Sequence, residues 1–255
     1  MDIDEFRKHG HHLIDWMADY MDTVEKLPVR SQVKPGKIAS LLKEKPPTNG
    51  EPMGNIIDDF KTNILPGVTH WQHPSFFAYF PANSSPPSVL AEMLTATLGA
   101  QCMLWQTSPA ATEMETRMME WLASMINLPQ KFSGVIQDSA SSATLCALLT
   151  AREQATSWKT NKSGFMKVSK KLIVYTSEEA HSSTEKGAKI AGFGRDNIRF
   201  IPTDNKFRMR ASLLRQKIQL DIKKGFVPTC VVASIGTTGV GAVDPIKEIA
   251  AICRE

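Results

Sequence analysis

Cysteine is scarce in this chain, with four in 255 residues, at Cys102, Cys146, Cys230 and Cys253. They lie far apart and form neither a Cys-x-x-Cys pair nor a mixed Cys/His ligand spacing. That excludes a disulfide framework and a zinc site, and leaves buried thiols in a reducing compartment as the expectation. An excess of one charge is missing too: 30 basic residues stand against 26 acidic ones, for a net charge of +4. So balanced a surface offers no basic stripe for nucleic acid. No apolar run is long enough to span a bilayer, and the opening Met1-Asp-Ile-Asp-Glu-Phe6 is acidic where a secretory leader is basic. A soluble, cytoplasmic protein with neither nucleic acid nor membrane as partner is expected. Gly192-Phe193-Gly194 lacks the third glycine of a dinucleotide fingerprint, and no Gly-x-x-x-x-Gly-Lys-Ser/Thr loop occurs. His9, His11 and His12 crowd together but do not all share one helix face, so no metal site is read there. The run Lys167 to Lys171 reads as a solvated loop.

What is present is ordinary globular composition, 42% hydrophobic and 22% charged, enough for one large domain with an arm. From Asp4 to about Lys26, Phe6, Leu13, Ile14, Met17, Met21 and Val24 recur at helical spacing and predict an amphipathic helix with one buried stripe. Leu27 to Gly54 is rich in Pro, Lys and Gly and reads as irregular chain around a small helix at Ile38, Leu41 and Leu42. A short helix, Ile56 to Ile64, ends at Pro66-Gly67. The stretch His70 to Ser85 then forms an aromatic loop with Trp71, Phe76, Phe77, Tyr79 and Phe80 around Pro74 and Pro81. Two longer helices follow, Ser88 to Gly99 and one opening at Ser108-Pro109 and running to Met125. The methionines of the second, Met114, Met118, Met119 and Met125, are expected in the core.

Beyond Gly134 short apolar runs alternate with helical segments. Val135-Ile136, Leu172 to Tyr175, Ile198 to Ile201 and Thr229 to Ser234 read as strands. Ala143 to Arg152, Ser182 to Ala191 and Ala211 to Lys223 read as helices. This alternation predicts an α/β layer, a mostly parallel sheet flanked by helices. The last helix, from about Pro245, still runs at Glu255, so an incomplete sheet is expected.

Three places in this half can carry chemistry. Ser139-Ala140-Ser141 follows a predicted strand and opens a helix, where unpaired N–H groups and small residues admit an anion; its plain reading is a helix cap. His181 stands before the helix at Ser182-Ser183, and an imidazole there can stack on a cofactor ring or carry a proton. Its plain reading is a structural hydrogen bond. Gly236-Thr237-Thr238-Gly239 follows the strand Thr229 to Ser234, and it is otherwise an ordinary Gly-Thr turn. All three fall after strands of a parallel sheet, at the edge where ligands collect.

Five segments in order carry a family resemblance: His70-Trp-Gln-His-Pro-Ser-Phe-Phe-Ala-Tyr-Phe-Pro-Ala82, Ser108-Pro-Ala-Ala-Thr-Glu-Met-Glu115, Asp138-Ser-Ala-Ser-Ser-Ala-Thr144, Ala180-His-Ser-Ser-Thr-Glu185 and Ile235-Gly-Thr-Thr238. Together they resemble the group II pyridoxal-phosphate (PLP) amino-acid decarboxylases, and most nearly the aromatic-L-amino-acid decarboxylases. The resemblance covers essentially the whole chain. It implies a fold-type I PLP enzyme, an aspartate-aminotransferase-like α/β large domain over residues 86–255. Before it, residues 1–85 would form a helical arm and substrate-wall loop, exchanged between the subunits of a homodimer.

The resemblance also assigns roles. Ala140 and Ser141 match the phosphate-binding turn, His181 the histidine stacked on the pyridine ring, and Thr238 a threonine beside the cofactor. Trp71, Tyr79, Phe80 and Pro81 match the aromatic wall around the substrate side chain. Gln101 and Met103 match positions contributed across the dimer, where animal enzymes usually carry larger apolar residues. Ala82 replaces a threonine near the substrate carboxylate. The implied reaction is decarboxylation of an L-amino acid, with the PLP ring as electron sink. The family's Asp-Ala-Ala motif and the lysine that attaches the cofactor would fall beyond Glu255, so this chain alone is expected to be inactive. An aldehyde synthase of the same family, an acidic or basic substrate, and a catalytically dead partner chain are the alternatives; His181 leans towards decarboxylation.

Overall fold

A computed structural model describes residues 1–79, 84–129, 131–165 and 168–255. The chain forms two units, Met1–Thr97 and Leu98–Glu255. In the first unit α1, Ile3–Thr23, begins on a capping box. The Asp2 carboxylate accepts from the N–H groups of Asp4 and Glu5, and the Glu5 carboxylate accepts from that of Asp2. The helix that the periodicity predicts is present, but the buried stripe is not. Phe6 and Met21 are exposed, and Leu13, Ile14 and Met17 are only half-buried. The reason is local: among the described residues ring contacts cover only the last turns, where Trp16 meets Phe60 and Tyr20 meets His70. Two short helices follow, α2, Lys37–Leu41, and α3, Met53–Asp59. The segment read as one helix to Ile64 passes from α3 into a π turn, Phe60–Ile64, then a 3-10 turn, Leu65–Gly67. Helix α4, Pro86–Leu98, ends this part with Leu94 and Leu98 exposed.

The second unit opens with α5, Pro109–Met125, which starts at the Ser108-Pro109 signal although the Ser108 hydroxyl makes no capping bond. Its methionines are not core: Met114 and Met125 are exposed, while Met118 and Met119 are half-buried. Helix α6, Ala140–Ala155, and the short α7, Lys159–Ser163, precede an alternating series. That series is β1, Leu172–Ser177; α8, Ser183–Ile190; β2, Ile198–Ile201; α9, Ala211–Lys223; β3, Val227–Val232; and α10, Ile246–Arg254.

The three strands lie in the order β2-β1-β3, all parallel, with Val174 opposite Ile198 and Cys230. Six buried residues make β1 the centre of the sheet, and its alternation divides the core in two. Ile173 and Tyr175 face Leu214 of α9 and Ile249 and Ile252 of α10. Leu172 and Val174 face Leu148 of α6, Ala188 of α8 and Phe193. Helices therefore cover both faces, as a parallel sheet requires. Within the first of these layers a buried carboxylate, Asp221, accepts from the Tyr175 hydroxyl at 3.0 Å and from Arg199 Nε and Nη2 at 2.9 and 3.1 Å. Burial, then the Asp221 charge, pushes the Tyr175 hydroxyl pKa well up, so it stays a donor.

Two further expectations are corrected. Val135 and Ile136 are exposed and pair with no strand among the described residues; the Ile136 N–H is taken instead by the Glu115 carboxylate at 2.7 Å. The cysteines are free, but Cys102, Cys146 and Cys253 are exposed rather than buried. Only Cys230 sits in the sheet, where burial pushes its thiol up to about 11. No described helix is long and apolar enough to cross a membrane.

Candidate functional site

Parallel pairing makes β1 and β3 end on the same edge of the sheet. His181 lies in the turn that leaves β1, and Gly236-Thr237-Thr238-Gly239 follows β3. The packing of α6 brings the third candidate to that edge. A Cβ on Gly187 of α8 would stand 3.1 Å from Leu148 Cδ1 and 3.7 Å from Leu145 Cα, so α6 and α8 touch nearly backbone to backbone there. Further along, Arg152 Nη1 donates to the Ala191 carbonyl at 2.8 Å. Leu145 with Gly187 and Arg152 with Ala191 make the two helices run in the same direction. Because α8 leaves β1 at its carboxyl end, α6 also begins there.

At the start of α6 the Ser139 hydroxyl is a helix cap, accepting from the Ser142 N–H at 3.2 Å. That leaves the N–H groups of Ala140 and Ser141 at the helix mouth without partners among the described residues. The Ser141 hydroxyl is exposed and likewise unbonded. Two free donors, one free hydroxyl and the positive end of a helix four turns long form an anion cradle. Serine at 139 serves the fold and serine at 141 is free, a division the sequence left open.

His181 is exposed, and its ring is fixed by the first turn of α8. Nδ1 accepts from the Ser183 N–H at 3.2 Å and lies 2.9 Å from the Ser183 hydroxyl. The neutral ring therefore carries its hydrogen on Nε2, the nitrogen left available. After β3 the loop is tied from within. The N–H groups of Gly236 and Thr237 donate to the Ala242 carbonyl at 3.1 and 2.9 Å, and the Thr237 hydroxyl accepts from the Ala242 N–H at 3.0 Å. Thr237 is thus the buried, structural member of the pair, and Thr238 remains half-exposed.

Two residues missed in the sequence shape this edge. Asp244, buried, accepts from the Met209 N–H at 2.7 Å and from the Ser234 N–H at 2.8 Å, closing the loop after β3. Ser177, the last residue of β1, buries its hydroxyl without a hydrogen-bond partner among the described residues. An Asp-Pro step hints at a turn, but nothing in the sequence signals that the carboxylate turns inward.

The remaining candidates belong to other segments of the chain. Trp71 and Tyr79, in the first unit, stack at 5.6 Å and 13°, and Trp71 also stacks on Phe76 at 4.9 Å. Tyr79 holds φ +59°, a left-handed conformation unusual for so bulky a residue. Phe80, Pro81 and Ala82 lie outside the described residues. Gln101 and Met103 are exposed in the segment before α5. Among the described residues no cluster of three or more His, Cys, Asp or Glu side chains suits a metal ion.

Residues 35–255 match the family model described as the pyridoxal-dependent decarboxylase conserved domain. The whole chain is 42% identical to phenylacetaldehyde synthase of Arabidopsis thaliana and 42% identical to aromatic-L-amino-acid decarboxylase of Mus musculus, spanning 52% and 55% of those proteins. Among solved structures, Catharanthus roseus tryptophan decarboxylase in complex with L-tryptophan superposes with a TM-score of 0.92 at 37% identity. Rhodiola rosea 4-hydroxyphenylacetaldehyde synthase does so with 0.90 at 40%, and each superposition covers 100% of this chain and 55% of the other. The chain therefore spans about half the length of the curated relatives it matches.

Proposed function

Because the chain belongs to the pyridoxal-dependent decarboxylase family, we propose that the protein it forms removes the carboxylate of an L-amino acid as CO2, with an aromatic side chain as the preferred substrate. The observation that carries this reading is the shared edge: His181 and the loop at Thr238 follow the carboxyl ends of β1 and β3, and the packing of α6 on α8 sets the mouth of α6 at the same edge.

The residues present fit PLP. The free N–H groups of Ala140 and Ser141, with the Ser141 hydroxyl, suit its phosphate. His181, fixed at Nδ1 by Ser183, presents a flat ring to lie against the pyridine and an Nε2 hydrogen to donate. Thr238 adds a hydroxyl at the rim. When bound, the cofactor supplies an electron sink for the pair left by departing CO2. Trp71 and Tyr79, with Phe80, Pro81 and Ala82, are proposed to wall the substrate side chain, and Gln101 and Met103 to complete it from a second subunit.

A homodimer with exchanged arms gives the exposed apolar residues of α1, α4 and α5 a cover. Free thiols on the surface suit a cytoplasmic setting. Residues 1–255 are expected not to turn over alone, since the resemblance places the cofactor-linking lysine outside them.

The similarity to two aldehyde synthases favours a second reading, in which the same site also deaminates its substrate oxidatively. One assay separates the readings. The whole protein, loaded with PLP, is given a panel of amino acids while CO2, amine, aldehyde and oxygen uptake are followed. Amine and CO2 in equal amounts without oxygen uptake support the first reading, and aldehyde with oxygen uptake supports the second. No CO2 from any aromatic substrate removes both.

A further inference from the structure

A chain of stacked and hydrogen-bonded rings joins the aromatic loop to α1, and it begins far from the loop in sequence. Phe60 meets Trp16 edge-on at 5.2 Å, Trp16 stacks on Tyr20 at 5.5 Å, and Tyr20 tilts against His70 at 5.6 Å. Tyr20 Oη and His70 Nδ1 share a hydrogen bond of 2.8 Å. His70 is 4% exposed, whereas the next residue, Trp71, is 45% exposed and stacks on Phe76 and Tyr79. The step from anchored ring to presented ring therefore takes one residue.

Four more hydrogen bonds hold the same turn. The His70 N–H donates to the Val29 carbonyl at 3.0 Å, and the His70 carbonyl accepts from the His73 N–H at 3.0 Å. His73 Nδ1 accepts from the Ser75 N–H at 2.9 Å, so its hydrogen lies on Nε2, 3.2 Å from the Glu25 carbonyl. The loop thus hangs on the preceding chain at Tyr20, Glu25 and Val29. Tyr79 holds a left-handed backbone, unfavourable by itself, while its ring stacks on Trp71. These ties bracket Trp71, one of the two rings read as the substrate wall, and Tyr79 stacks on it.

We propose that Tyr20 and His70 are positioning residues: through their shared hydrogen bond they set the orientation of Trp71 and Tyr79, and so govern recognition of the substrate side chain rather than the bond-breaking step. This rests on the reading of Trp71 and Tyr79 as that wall. Tyr20→Phe is the sharpest probe because it removes the hydroxyl and keeps the ring between Trp16 and His70.

In the whole PLP-loaded protein, Tyr20→Phe is expected to raise KM for an aromatic amino acid roughly three- to tenfold, the size of one lost hydrogen bond, with kcat within about twofold. Acrylamide quenching assigned to Trp71, by difference from Trp71→Phe, is expected to rise. His70→Asn, whose amide reaches the place of Nδ1, is expected to retain both properties, and His70→Ala to lose them. A KM unchanged in Tyr20→Phe, or an Asn variant as impaired as the Ala variant, overturns the proposal. Tyr79→Ala tests the underlying reading separately: an unchanged KM there removes the wall, while Trp71 quenching in Tyr20→Phe still reports whether the hydrogen bond orients the loop.

Discussion

Strand β1 and helix α1 are both apolar on the side the sequence marks as inward, yet all six residues of β1 are buried while α1 is exposed or half-buried over its length. The difference lies in where each finds its cover. The strand's cover is encoded within the next eighty residues, as α8, α9 and α10, which fold back across both faces, with α6 completing one of them. Among the described residues the N-terminal part of α1 has no such cover, and Ile3 and Phe6 are exposed. A helical stripe marks a face that favours burial and does not say what covers it.

The largest effect is expected inside the sheet layer. Asp221→Ala leaves Arg199 without its buried partner and deprives the Tyr175 hydroxyl of its acceptor. Unfolding by denaturant should show a loss of about 3–5 kcal/mol. A loss under about 1 kcal/mol would mean that Arg199 reaches water freely and the layer is looser than the geometry says.

Phe6→Ala in α1 is expected to sharpen the contrast. Phe6 is 58% exposed, so the stability of the isolated chain should change by no more than about 0.5 kcal/mol. Subunit association, followed by sedimentation, should weaken measurably. Equal stability with unchanged association would leave the exposed stripe without the proposed cover.

A smaller effect is expected from pH in the first unit. Burial, and then the neighbouring His73, hold the His70 pKa below its ordinary 6.5. The unfolded chain then takes up the proton more readily than the folded one. The contribution of His70 is complete above about pH 6.5 and is lost as pH falls through that value towards the folded pKa. Tryptophan fluorescence of the first unit should shift over that range, and His70→Asn should flatten the shift. An identical titration in the variant would assign it to another group.

The fold class was legible because strand and helix periods differ and alternate. Ile198–Ile201 and Ala211–Lys223 form over the residues the pattern marks, and the helix-covered parallel sheet is that of fold-type I PLP enzymes. Val135-Ile136 was misread because β-branched residues show strand propensity, whereas a strand also needs a neighbour to pair with. Met114 and Met125 were misread because hydrophobicity alone does not say whether the rest of the fold packs over a residue. At the site, Ser139 and Ser141 are the same residue type two places apart, and only the cap geometry separates the structural hydroxyl from the free one. Asp244, and the structural role of Thr237 within the Gly-Thr turn, were invisible for a related reason: their partners, Met209, Ser234 and Ala242, are backbone groups, which carry no side-chain signature.

The central claim is that the mouth of α6 holds a phosphate beside His181 and Thr238. PLP affinity of Ser141→Asp, measured by absorbance titration of the whole protein, tests it most directly. A carboxylate at that mouth opposes the phosphate charge at close range and should weaken binding by roughly two orders of magnitude. A folded Ser141→Asp protein that binds PLP as tightly as the parent would contradict it.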